Sequence, residues 1–292
     1  MTESTTYEFL AVDEPLDEMQ RLDVRLLSNW SCDSPRTLVA TASIRAFQAD
    51  PRVLMERYFD VHAAVSPWGT RELIFRMPQD SFSVPLARRY GAESWTAAGH
   101  ALVVLRTDFA GRTGGGAEHP VSRFTDVRED LAAGGRRALY LSWLASLGDP
   151  DAYAGAELPD LEAETEPPVP PNLTDLGPGL TALAEFLCVD GRLLRVAAEA
   201  SQDTRSQSRA HSRKLSQWIH RLPDADKNRL LLRALQGGAA GPVEARITGG
   251  ATAPRRTVAD LLRRASARDR CEVAMVSSPG RPLSDPCGTM AG

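Results

Sequence analysis

An α+β fold, with an N-terminal mixed sheet carrying helices and an all-helical C-terminal domain, follows from three features of the sequence. Residues 166–172 read Glu-Pro-Pro-Val-Pro-Pro-Asn, a stretch that favours a semi-rigid extended spacer. Before it, apolar and polar residues often alternate, the period of a half-buried strand. After it, apolar residues recur at three- and four-residue spacing, the period of a helix. The division expected is an α+β domain over residues 1–150, an acidic Pro-rich linker over 151–173, a helical domain over 174–272 and a disordered tail over 273–292.

Residues 7–12 form a first strand. Pro15 then opens a helix to about Ser28, with Leu16, Met19, Leu22 and Leu26 as its inward stripe. The partly β-branched segment 37–46 is a second strand. Asp50 caps a short helix that starts at Pro51 and turns Leu54, Met55 and Tyr58 inward. A hairpin follows. Phe59, Val61, Ala63 and Val65 alternate with Asp60, His62 and Ala64, and a turn centred on Trp68 pairs Val61 with Phe75. The same register sets Asp60 opposite Arg76 on the other face, a cross-strand pair of opposite charge. Segment 84–90 is a short helix, and 94–97 with 100–107 is a second hairpin around Ala98-Gly99. Residues 121–132 and 136–147 are helical.

Past the prolines, Leu180, Leu183, Ala184 and Leu187 mark one helix. Leu193, Leu194, Ala197 and Ala198 mark another, and Leu215, Trp218, Ile219 and Leu222 a third. A fourth helix runs from Pro223-Asp224 to Gly237-Gly238, and Thr257 to Asp260 resembles a capping box that opens the last one. Residues 200–209 are polar and read as a connection.

The chemistry-bearing patterns are sparse. The Gly-rich loop 111–116 lies between a strand and a helix but matches neither phosphate-loop pattern and lacks Lys. No Cys or His pair has metal-ligand spacing, so neither metal nor cofactor is expected. No nucleophile elbow is present. Cys188 is expected on an apolar helix face, and a bridge between Cys271 and Cys287 has no support from a secretory signal. The candidate catalytic set is Asp60, His62 and Arg76, because an acid and a base two residues apart can share one strand face. The same residues also fit a solvated strand face carrying an Asp60–Arg76 ion pair.

The candidate binding residues are Trp68, at the hairpin tip, and Arg263, Arg264 and Arg268, on the last helix. Trp68 fits either an exposed anchor or a ring folded back onto the core. The arginines could meet solvent, a partner or the acid-rich residues 151–166.

The basic residues are 32 Arg and 2 Lys. Residues 190–292 carry a net +8 and the first 189 residues a net −12. This asymmetry suits docking between the halves or an anionic partner. The helices around 215–222 and 229–235 admit a helix-turn-helix reading, but Asp224 and Asp226 sit where phosphate would lie. The N-terminus lacks the pattern of a secretory signal and no apolar run reaches the roughly 18 residues of a membrane span, so a cytoplasmic location is expected.

The segments YEFLAVDEPL, PRVLMERYFDVHAAVSPWGTRELIFRMP, GRRALYLSWLASL and EPPVPPNLTDLGPGLTALAEFLCVD span about residues 7–200. They resemble an uncharacterised family of bacterial proteins, found notably in actinobacteria. The resemblance implies no activity, cofactor or site residue. TASIRAFQA at 41–49 lacks the Trp-Gly-Asp-Phe-like run of that family, and a short Pro/Gly tail stands where related chains continue into a charged helix. The functional expectation is a cytoplasmic, non-catalytic adaptor or scaffold with a protein partner. An enzyme with a site on the first hairpin, or nucleic-acid binding through the basic half, are the alternatives.

Overall fold

The computed structural model describes residues 4–43, 49–108, 120–148, 159–201 and 256–276. Six strands form one sheet: β1 (Ser4–Leu10), β2 (Thr37–Ser43), β3 (Val61–Val65), β4 (Thr70–Pro78), β5 (Ser94–Ala97) and β6 (His100–Asp108). Their order is β2-β1-β3-β4-β6-β5, and every pairing is antiparallel, not mixed as expected. The tight turns of the two hairpins dictate this for their strands, since a parallel pair needs a long crossover. The second hairpin turns through Ala98 and Gly99, both at positive φ (48° and 79°), which is the conformation a two-residue turn matched to strand twist requires.

Nine described helices accompany the sheet: α1 (Glu18–Ser28), α2 (Pro51–Arg57), α3 (Val84–Arg88), α4 (Thr125–Ala132), α5 (Arg137–Ser146), α6 (Pro159–Ala163), α7 (Gly177–Phe186), α8 (Gly191–Ala200) and α9 (Val258–Val276). Asp50 caps α2 as expected, its side chain accepting from the Arg52 N–H. The start of α1 is at Glu18, not Pro15. Asp17 and Gln20 close a reciprocal capping box there, which satisfies two of the donors that the first turn of a helix leaves open.

Both faces of the sheet are covered. Phe9, Leu38, Ala40, Ile74, Leu102 and Val104 pack on one side with Val24, Leu54, Met55 and Phe59. Val61, Ala63, Leu73, Phe75, Val103 and Leu105 pack on the other with α4, α5, α7, α8 and α9. This double cover explains the continuous apolar run 101–105 of β6, because a strand buried on both faces does not alternate. The helices after the prolines share this second core: Leu180, Leu183, Leu193, Val196, Val258 and Leu261 belong to the same cluster as β3, β4 and β6.

Residues 164–173, expected as a spacer, are docked along the molecule. Thr165 bridges Thr257 in antiparallel fashion, the Tyr90 hydroxyl donates to Pro168 O, and the Ser201 hydroxyl donates to Pro170 O. The expected tail from 273 is still helical to Val276. The loop 111–116, the helices expected over 215–222 and 223–237, and the segment 277–292 lie outside the described residues.

Two helices depart from expectation. Cys188 lies past α7, not on its apolar face, at φ 55°, and there the N–H of Val189 bonds Ala184 O in a left-handed helix stop. On α1 the buried residues are Val24 and Ser28, and the expected inward residues Met19, Leu22 and Leu26 point outward.

Candidate functional site

The hairpin register is as expected: Val61 faces Phe75 and His62 faces Ile74. Asp60, one residue before β3, pairs with Arg76, whose Nε and Nη2 donate to Oδ1 at 3.1 and 2.8 Å. The pair is not solvated. Asp60 is 1% exposed, and its Oδ2 accepts from the N–H groups of Val12 (2.7 Å) and Asp13 (3.0 Å) at the end of β1. A second guanidinium, Arg128 of α4, lies 3.6 Å from Oδ1. Arg128 itself forks onto Asp13 at 2.9 and 2.6 Å and donates from Nε to Arg76 O. That fork holds the Asp13 carboxyl below the usual carboxylate range against the opposing effect of its burial. Both Asp60 oxygens are thus occupied by donors, an arrangement that ties β1, β4 and α4 together and leaves no lone pair aimed at a substrate.

His62 does not work with Asp60. It is fully buried, stacked on Phe9 with centroids 4.1 Å apart, and its Nδ1–H donates to Glu8 O at 2.9 Å. Its Nε2 has no hydrogen-bond partner among the described residues. Burial pushes its pKa down to about 4, so the folded protein holds it neutral. The unfolded chain takes up this proton below about pH 6.5, and the folded chain only near pH 4. Acidification across that window therefore favours unfolding, by about 3 kcal/mol in full. Urea titrations of the wild type at pH 7 and pH 4.5 are expected to show this loss. In His62→Phe the component belonging to this window is expected to vanish, whatever the substitution costs at pH 7. An unchanged slope of stability against pH would show that the ring is hydrated.

The binding candidates separate. Trp68 is 49% exposed at the hairpin tip and is not folded back onto the core. Arg263 is exposed and bridges Asp260 (2.8 Å) and Glu162 (3.2 Å), so one expected acid-rich contact is made within the chain. Arg264 is exposed, and the side chain of Arg268 lies outside the described residues.

Two polar centres had no sequence signal of their own. Glu166, 3% exposed within the Pro-rich stretch, accepts from the Tyr140 hydroxyl and from Arg256 Nε and Nη2, both at 2.8 Å. Burial, and then the Glu166 charge, raise the Tyr140 pKa well above its ordinary value. Buried Arg71 of β4 donates to Phe186 O at 2.8 Å and so caps the last carbonyls of α7.

Three cavities, of about 520, 550 and 210 Å3, lie among the described residues. The first counts Glu93, Arg106 and Asp108 among its lining residues, the second is an open apolar groove between α7 and α8, and none of the three is lined by Asp60, His62 or Arg76. Among the described residues no group of three or more His, Cys, Asp or Glu is placed to hold a metal ion. No described helix is long and apolar enough to cross a membrane.

The outstanding surface feature is α1. Met19, Leu22 and Leu26 are 67%, 47% and 74% exposed and form one stripe at i, i+3 and i+7, opposite Val24. Apolar residues scattered singly over a surface are ordinary, whereas these three are contiguous along one helix face. No family model, no curated protein and no solved structure matches the chain.

Proposed function

We propose that the chain is a non-catalytic interaction protein that docks through the outward face of α1. The observation that carries this reading is the exposed stripe of Met19, Leu22 and Leu26 on a helix already anchored by Val24 and Ser28. An amphipathic helix ordinarily turns its apolar stripe to the core. Here the stripe faces away from the described core, and a partner groove or helix is what would bury it. The occupied state of Asp60 and the isolation of His62 weigh against the hairpin as a catalytic site.

The reading has a test that needs no knowledge of the partner. Leu26→Asp is expected to change folding stability by less than about 0.5 kcal/mol at sub-micromolar chain concentration, as for an exposed site. It is expected at the same time to abolish stoichiometric capture of whatever the wild type binds in its native cell. A loss above about 2 kcal/mol would show that Leu26 is packed within the folded monomer, and the docking reading would fall.

A further inference from the structure

We infer that the occupant of the α1 face is a second copy of this chain, laid antiparallel across a twofold axis near Leu22; this inference rests on the docking reading above. Glu18 and Arg25 are seven residues apart, so both lie along the same margin of the stripe. Both are exposed, and among the described residues neither has an ion-pair partner.

Place a second α1 antiparallel on the first, with Leu22 over Leu22. Met19 of each copy then meets Leu26 of the other, and Glu18 of each meets Arg25 of the other. A twofold contact must be self-complementary, and this helix is so in both respects: apolar residue on apolar residue, acid on base. A parallel twofold pair would instead carry the Glu18 and Arg25 of the two copies to opposite margins of the contact, where neither meets the other's charge. The helix dipoles agree with the choice, because antiparallel packing brings the positive end of one helix beside the negative end of the other. Val24 and Ser28, on the opposite side, stay on the core of their own copy.

The size of the face sets the strength. A contact made by one three-turn helix from each copy is smaller than the roughly 1,000 Å2 that stable interfaces clear, so the pairing belongs to the weak, transient class. The pair would therefore form and separate with chain concentration.

Sedimentation equilibrium of the full chain over roughly 0.1–100 µM tests this. The wild type is expected to pass from monomer to dimer. Leu26→Asp is expected to remain monomeric, its dissociation constant raised at least a hundredfold by an unpaired charge at the contact. Glu18→Arg and Arg25→Glu are each expected to weaken the dimer about tenfold, because each places like charges at both ends of the contact. Mixed one to one, these two variants are expected to pair with each other at wild-type strength, since the mixed dimer restores opposite charges at both ends. That rescue requires residue 18 of one copy to meet residue 25 of the other.

A wild type that is monomeric at 100 µM overturns the proposal. So does a dimer that Leu26→Asp leaves intact, or a mixture of the two charge variants that stays monomeric. The docking reading survives a monomeric wild type if Leu26→Asp leaves folding stability unchanged and removes a bound protein of another kind. It falls with the proposal if Leu26→Asp costs more than about 2 kcal/mol of folding stability.

Discussion

Asp60→Ala is expected to cost about 3–5 kcal/mol of folding stability, among the largest effects available to a single substitution in this chain. The carboxylate is 1% exposed and accepts four hydrogen bonds, two from Arg76 and two from the backbone of residues 12 and 13. Alanine removes one small side chain and strands every one of those donors. Arg76 is 12% exposed, so water replaces only part of what it loses. Arg128 keeps its fork on Asp13 and loses less. Asp60→Asn is expected to recover little of the loss, because its amide NH2 would face either the guanidinium or the two backbone N–H groups, donor against donor.

Arg76→Ala is the milder change, since Asp60 keeps its backbone bonds. The double variant is expected to be less damaging than the two single effects added, with a coupling of about 1–3 kcal/mol. Urea unfolding of the four proteins measures the cycle. A loss below about 1 kcal/mol for Asp60→Ala would mean that water reaches the pair, and that the hairpin face is as open as the sequence alone suggests.

That contrast shows what a one-dimensional pattern holds and what it lacks. The pairing of Val61 with Phe75, and with it the meeting of Asp60 and Arg76, was legible because strand alternation and a short turn fix a register locally. Burial of the same pair was not legible. It depends on the end of β1 and on Arg128, 52 residues beyond Arg76, and no local period carries that information. The α1 stripe failed in the opposite sense. Met19, Leu22 and Leu26 have the right spacing to face a core, but Val24 and Ser28 on the other side of the helix are what the sheet accepts. Spacing says that a helix has two faces; it does not say which of them the fold will use. The Pro-rich stretch was visible as an extended segment. Its role depends on Tyr90, Tyr140 and Arg256, each far away in the chain.

Glu166→Gln carries the second large effect, with an expected loss of about 2–4 kcal/mol. The substitution preserves size and leaves Oε1 able to accept from Tyr140. It removes the charge from beneath Arg256, which is 15% exposed and also donates to Val196 O on α8 at 3.0 Å. For Arg256, burial acts against its charge, and the bonds to Glu166 outweigh that and raise its pKa above the ordinary value. Without the carboxylate, burial loses its main counterweight.

The position of the defect matters as much as its size. Glu166 N donates to Arg256 O and Val258 N to Glu164 O, so the pair forms the short strand-like clasp that delivers α9 to the core. Val258, Leu261, Leu262 and Ala265 then pack in the cluster that also holds β3, β4 and β6. Hydrogen exchange in Glu166→Gln is therefore expected to accelerate in residues 257–265 before it accelerates in β4. If both segments instead exchange together, the clasp and the sheet open in a single step. The Pro-rich stretch would then be a cooperative part of the sheet's own core. If α9 opens alone and the midpoint of sheet unfolding stays unchanged, the carboxylate serves only the helix, and the larger loss predicted for the whole protein is wrong.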